Sequence, residues 1–147
     1  MTNISAGKWI IDSNIILYFL DKDSSFHQET KTIFSLFISG KIIPVVAQQN
    51  ILEVGNVLRK IYHWNTPAIK KLLKGIIYEF NIQVIFPLPK THITWLDLIS
   101  DDNLEAIDYF DYYLSATMLD NGFRRILTAN IKDFSKIPEI EALNPFK

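Results

Sequence analysis

The sequence of 147 residues contains no cysteine, so it can hold no disulfide, thiolate metal site or cysteine nucleophile, and it fits a reducing cytoplasm. It carries little net charge, −1, which gives no global electrostatic signal for a nucleic-acid or membrane partner. Its five glycines are scattered at Gly7, Gly40, Gly55, Gly75 and Gly122, so no glycine-rich loop cradles a phosphate. The histidines His27, His63 and His92 lack metal-ligand spacing, and no serine sits in a nucleophile elbow. No apolar run approaches the roughly 18–20 residues that span a bilayer. Met1–Lys8 lacks the basic start and apolar stretch of a secretory signal. No repeat, low-complexity segment or linker interrupts the chain. Membrane-spanning helices, thiol enzymes and disulfide scaffolds are therefore not expected.

What remains is 48% hydrophobic and 13% aromatic, ample for a core, and of a length that suits one domain over residues 1–147. The organising stretch is Trp9-Ile10-Ile11-Asp12-Ser13-Asn14. A short apolar run without alternation reads as a strand buried on both faces. Asp12 falls at its carboxyl end, where open α/β sheets bind ligands. Ser13-Asn14 can cap the following helix, and Asp12, taken alone, also reads as a helix cap.

Helices are expected over Asn14–Leu20, His27–Ser39, Gln48–Tyr62, from Thr66-Pro67 onward, Thr91–Ile99 and Leu104–Asn121. In the second, Thr30, Ile33, Phe34, Phe37 and Ile38 mark the apolar face; in the third, Ile51, Val54, Leu58 and Ile61 do so. Thr66 is the expected N-cap of the fourth, with proline at its first position. Strands are expected at Ile42–Val46, Ile82–Phe86, Arg125–Ala129 and Glu141–Asn144, and Lys132–Ile137 reads as a helical turn. Pro44 lacks an amide donor, which pushes the second strand toward a sheet edge or a strand start. Ser100–Asn103 reads as a polar break. Strands alternating with helices argue for a parallel sheet covered on both faces, with all strand carboxyl ends on one side.

Four acids stand near those ends: Asp12, Glu53 in the helix after the second strand, Asp111 in the long helix, and Asp133 beyond the fourth strand. Taken singly, each reads as a cap, a surface charge or an ion-pair partner. Glu53 and Asp111 interrupt apolar surroundings, and several carboxylates buried together would raise one another's pKa values. A hard divalent cation removes that repulsion, and carboxylate oxygens suit Mg²⁺ or Mn²⁺. Arg59-Lys60, Lys70-Lys71-Lys74 and Arg124-Arg125 are the candidate basic contacts to a polyanion, with Arg59 and Lys60 the pair singled out, although such groups are commonly solvated helix faces. Tyr109, Phe110, Tyr112 and Tyr113 read as core packing with a surface rim.

In this order the residues resemble a PIN domain, the fold of toxin ribonucleases of bacterial type II toxin–antitoxin pairs. The matching segments are Ile10–Ile16, Gln49–Val54 with Asn56–Lys60, Phe110–Ala116, Leu127–Phe134 and Leu143–Phe146, which span almost the whole chain. The resemblance implies a three-layer α/β fold, with a five-stranded parallel sheet flanked by helices, and a metal site built from acids. It implies that Asp12, Glu53 and Asp111 hold Mg²⁺ or Mn²⁺ in one cleft at the strand carboxyl ends. Thr128 matches the family's hydroxyl residue at the fourth strand's end. The fourth ligand is Asp133 or, through its carbonyl oxygen, Asn130, which stands where many relatives carry an acid. Asn14 and Asp108 support the set, Asp108 from one helical turn before Asp111. Ala129 stands where many relatives carry an arginine. The function implied is a metal-dependent endoribonuclease of the cytoplasm, acting on RNA, neutralised by a small antitoxin and homodimeric. The alternative is a PIN-like module that has lost catalysis and works by binding RNA or protein.

Overall fold

The computed structural model describes residues 2–99 and 108–147. Along the chain run β1 (Gly7–Ile11), α1 (Ser13–Leu20), α2 (His27–Ile38), β2 (Ile42–Ala47), α3 (Gln48–Lys60) and α4 (Thr66–Glu79). There follow β3 (Gln83–Ile85), α5 (Thr91–Leu98), α6 (Tyr109–Asp120), β4 (Arg125–Leu127), a 3₁₀ turn (Ile131–Phe134) and β5 (Glu141–Leu143). The strands pair in parallel in the order β3-β2-β1-β4-β5, which is the five-stranded parallel sheet expected from the alternation of strands and helices.

Alternation along β1 divides the core in two. Trp9 and Ile11 face one side, packing with Ile15, Ile33, Phe34, Val54 and Leu58 from α1 to α3, and with Ile69 and Ile76 from α4. Ile10 faces the other side with Val45, Tyr112, Leu114 and Met118, under α5 and α6. The chain is thus three layers, and its central strand is buried on both faces, as a continuous apolar run requires.

Several boundaries differ from expectation for local reasons. β2 lies inside the sheet, yet β3 pairs only with Val45–Ala47. Gly7 N–H donates to the Lys41 carbonyl at 2.9 Å, and successive residues turn their amides to opposite neighbours. The missing amide of Pro44 therefore points away from β1, beside the stretch that β3 does not cover. The cap of α4 is Asn65, not Thr66: its side chain accepts from Ala68 N–H at 2.9 Å. Ile38 closes α2 on its solvent side, 75% exposed. Ile61, 66% exposed, lies just past α3, where the chain turns toward His63 at a positive φ of 56°. The helix expected over Leu104–Asn121 is seen from Tyr109 onward. Residues 104–107, with the polar break at Ser100–Asn103, lie outside the described residues.

Candidate active site

Because Ile11 pairs with Leu127 across β1 and β4, the next residues, Asp12 and Thr128, emerge side by side at the carboxyl end of the sheet. Thr128 Oγ1 donates to Asp12 Oδ2 at 2.6 Å, and Asn14 Nδ2 donates to the same oxygen at 3.1 Å. Asp12 Oδ1 accepts from Ser13 N–H at 2.8 Å, so Asp12 itself, rather than Ser13 or Asn14, caps α1. The cap reading and the cleft position of Asp12 hold together. A longer contact of 3.4 Å joins Oδ1 to Asn50 Nδ2. Asp12 is 8% exposed, and burial pushes its pKa up while the Thr128 and Ser13 donors pull it down. Asn14 also accepts from Ala129 N–H at 3.2 Å, tying the start of α1 to the end of β4.

Glu53 reaches this cluster from α3. Ser13 Oγ donates to Glu53 Oε2 at 2.7 Å and stands 3.4 Å from Asp12 Oδ1. A hydroxyl has one proton, and the shorter contact takes it, so Ser13 serves Glu53 while its amide serves Asp12. On the other side of Glu53, Gln49 Nε2 donates to Oε1 at 3.1 Å and to the Phe110 carbonyl of α6 at 2.9 Å.

Asp111 stands in the first turn of α6. Asp108 caps that helix, accepting from Phe110 N–H at 2.8 Å and Asp111 N–H at 3.2 Å. Among the described residues the Asp111 carboxylate accepts no hydrogen bond. Its pKa is pushed up to about 7, first by burial, then by the carboxylates of Asp108, Asp133, Asp12 and Glu53. Five acids from four separate stretches of sequence thus bear on one another. Burial and Asp108 also raise Asp133, which sits in the 3₁₀ turn. Asp108, Asp111, Lys132, Asp133 and Lys136 line a cavity of about 350 Å³.

Not every candidate joins the cluster. Asn130 binds Thr128 Oγ1 through its backbone N–H at 3.0 Å and faces a neighbouring cavity, between Ala129 and Lys147. Arg59 and Lys60 are exposed at the far end of α3, about 9 Å along the helix axis from Glu53. Among the described residues no three His, Asp or Glu side chains are grouped closely enough to surround one ion. The acids share an electrostatic field without forming a closed cage. Ser13, Gln49 and Asn50 carry much of the geometry without having been singled out as site residues. Asn50 is fully buried and its Oδ1 accepts from Ala47 N–H at 3.1 Å. A polar side chain at the third position of a helix that follows an apolar strand was the available signal for it.

No family model and no curated protein matches the sequence. Solved structures do match. VapBC-1 from nontypeable Haemophilus influenzae superposes with a TM-score of 0.70 at 15% identity, covering 96% of this chain and 100% of that one. FitAB bound to an IR36 DNA fragment gives a TM-score of 0.68 at 14% identity, over 94% and 95%. Mycobacterium tuberculosis VapC20, a sarcin-ricin loop cleaving toxin, gives 0.60 at 15% identity, over 82% and 87%. At these identities the likeness establishes the fold, and the PIN-like three-layer architecture expected from the sequence is the one observed.

Proposed function

We propose that the chain is a Mg²⁺- or Mn²⁺-dependent endoribonuclease, the toxin of a toxin–antitoxin pair. The observation that carries this reading is the convergence of Asp12, Glu53 and Asp111 from β1, α3 and α6, with Asp111 pushed up to about 7 first by burial and then by its acidic neighbours. Carboxylates held together against repulsion are the donor set of a hard cation. Their chemistry fits such an ion; among the described residues they are not grouped closely enough to surround it, so water would complete its shell. Mg²⁺ commonly takes one or two carboxylates directly and meets the rest through water and substrate phosphate. Asp111, with no donor to give up among the described residues, is the direct ligand of choice. Glu53 and Asp12 would complete the set with Asp133. When bound, such an ion supplies a nucleophilic water and shields the charge that develops on a phosphodiester.

The chain's own residues then have separate tasks. Thr128 and the Ser13 amide favour the ionised form of Asp12 against the burial that raises its pKa, and with Asn14 they fix its rotamer. Ser13 Oγ orients Glu53. Lys132 and Lys136 line the cavity of Asp108, Asp111 and Asp133, and offset the repulsion that five carboxylates present to an RNA backbone. The hydrolysis itself adds water across a P–O bond, leaving one fragment with a phosphate and the other with a hydroxyl. We assign the cytoplasm, a small antitoxin partner and a homodimer on the strength of the fold likeness alone. Among the described residues no helix is long and apolar enough to cross a membrane. The looseness of the acid cluster favours a second reading, a PIN-like module that binds RNA without cutting it.

Incubation of the purified protein with cellular RNA in Mg²⁺, Mn²⁺ or EDTA, followed by mapping of the new ends, separates the two. Cleavage at defined sites with either metal and none in EDTA is the expected result. RNA retention without cleavage in any metal would leave the binding module.

A further inference from the structure

The two walls of the acid cleft are unequally anchored. α6 packs along its length on α5, and its direct polar link to α3 among the described residues is the side chain of Gln49. Both protons of Nε2 are used, one on Glu53 Oε1 at 3.1 Å and one on the Phe110 carbonyl at 2.9 Å. Both acceptors demand a donor, so the amide has one orientation, and turning it over would set oxygen against oxygen twice. The consequence is that Gln49 Oε1 is buried with no partner among the described residues. An orphaned buried carbonyl is uncommon and calls for a compensating role.

That role follows from charge. Glu53 lies on one wall and Asp111 on the other, and Asp111 is in the field of Glu53, Asp12, Asp108 and Asp133. Like charges on opposite walls push α6 away from α3, and little apolar contact between those two helices resists them. We propose that Gln49 is a positioning residue, a strut that sets the separation of Glu53 from Asp111 by binding the Glu53 carboxylate and the first turn of α6 with one amide group. Its meaning for cation and RNA binding rests on the nuclease reading; the strut itself does not.

The test uses Gln49→Leu and Gln49→Glu, with Gln49→Met in reserve should the leucine variant fail to fold. Amide hydrogen exchange over Tyr112–Leu114 is measured in EDTA, and the Mn²⁺ midpoint is read from the rise in melting temperature. Losing the strut should speed exchange in this first turn about tenfold in Gln49→Leu, and more in Gln49→Glu, where both contacts become repulsive. Exchange in the central strands should not change. The Mn²⁺ midpoint of Gln49→Leu should rise about tenfold, as expected for two lost hydrogen bonds of modest net strength. A side chain that only fills space predicts the reverse order, because glutamate is nearest to glutamine in shape. Exchange at the wild-type rate in Gln49→Leu, or a milder effect of Gln49→Glu, overturns the proposal. A wild type with no Mn²⁺ response would overturn the metal-dependent reading instead, while exchange in EDTA still decides the strut.

Discussion

Asp111→Asn keeps the size of the side chain and removes one negative charge from the most strongly perturbed acid of the cleft. In the folded chain its pKa is pushed from 3.8 up to about 7, so the folded state holds this proton more tightly than the unfolded one does. The stability this gives is fully present below about pH 4 and is lost as pH rises through about 7. Unscreened, that difference corresponds to about 4 kcal/mol, and the partial exposure of Asp111 to solvent reduces it to about 1–2 kcal/mol. Asparagine escapes the penalty and, among the described residues, forfeits no hydrogen bond made by the carboxylate. In EDTA at pH 8 the variant should therefore melt about 2–8 °C above the wild type. The gain should shrink through the interval from pH 7 to 4 and vanish below it. In excess Mn²⁺ the order should reverse, since the wild type gains a ligand-linked rise that the variant lacks, and RNA cleavage should fall with it. Thermal unfolding across pH, with and without metal, checks every part. A variant less stable than wild type in EDTA at pH 8 would refute the repulsion argument, because the carboxylate would then be making a net favourable contact. A gain equal at pH 4 and pH 8 would refute the role of ionisation.

Two further perturbations read the other side of the cleft. Thr128→Val removes the 2.6 Å donor to Asp12 Oδ2 at nearly constant volume and should cost about 1.5–3 kcal/mol. The loss should be largest at high pH, where the ionised Asp12 needs the donor, and smaller in acid, as urea unfolding at several pH values will register; a loss independent of pH would point to packing alone. Replacing Lys132 and Lys136 together by alanine should raise KM for RNA with kcat nearly constant and flatten the salt dependence of binding by about 1.4 in log–log slope, as expected for two single-strand phosphate contacts. An unchanged slope would take both lysines off the RNA path.

The sheet was legible because its signal is local. Trp9-Ile10-Ile11 is apolar without alternation, and that pattern has few readings other than a strand buried on both faces. The position of Asp12 follows almost automatically, as the first polar residue after such a strand. For Thr128 the expected strand runs on to Ala129 and includes it, whereas β4 ends at Leu127 and leaves Thr128 just beyond it. Pro44 misled for a reason outside β2. Its tolerance depends on β3 stopping short of it, a fact of pairing that β2 alone does not encode.

The electrostatic grouping of the acids was harder to read, and their support harder still. Asp111 enters the field of Asp12 and Glu53 only because the first turn of α6 reaches the carboxyl end of the sheet, a placement that the pattern of the helix does not encode. Arg59 and Lys60 were conspicuous as an adjacent basic pair, whereas Lys132 and Lys136, four apart, reach one cavity through the 3₁₀ turn that begins at Ile131. Adjacency in sequence does not tell which lysines share a cavity, since neighbouring helix positions diverge and a turn brings separated ones together. Ser13 and Gln49 were unreadable in a stricter sense. Neither differs in type from a solvated helix-start residue, and what each does is fixed by a partner, Glu53 or Phe110, 40 or 61 residues away. Charge marks a site in sequence because burying it is costly, whereas the neutral groups that hold the charges in place incur no such penalty until the chain has folded around them.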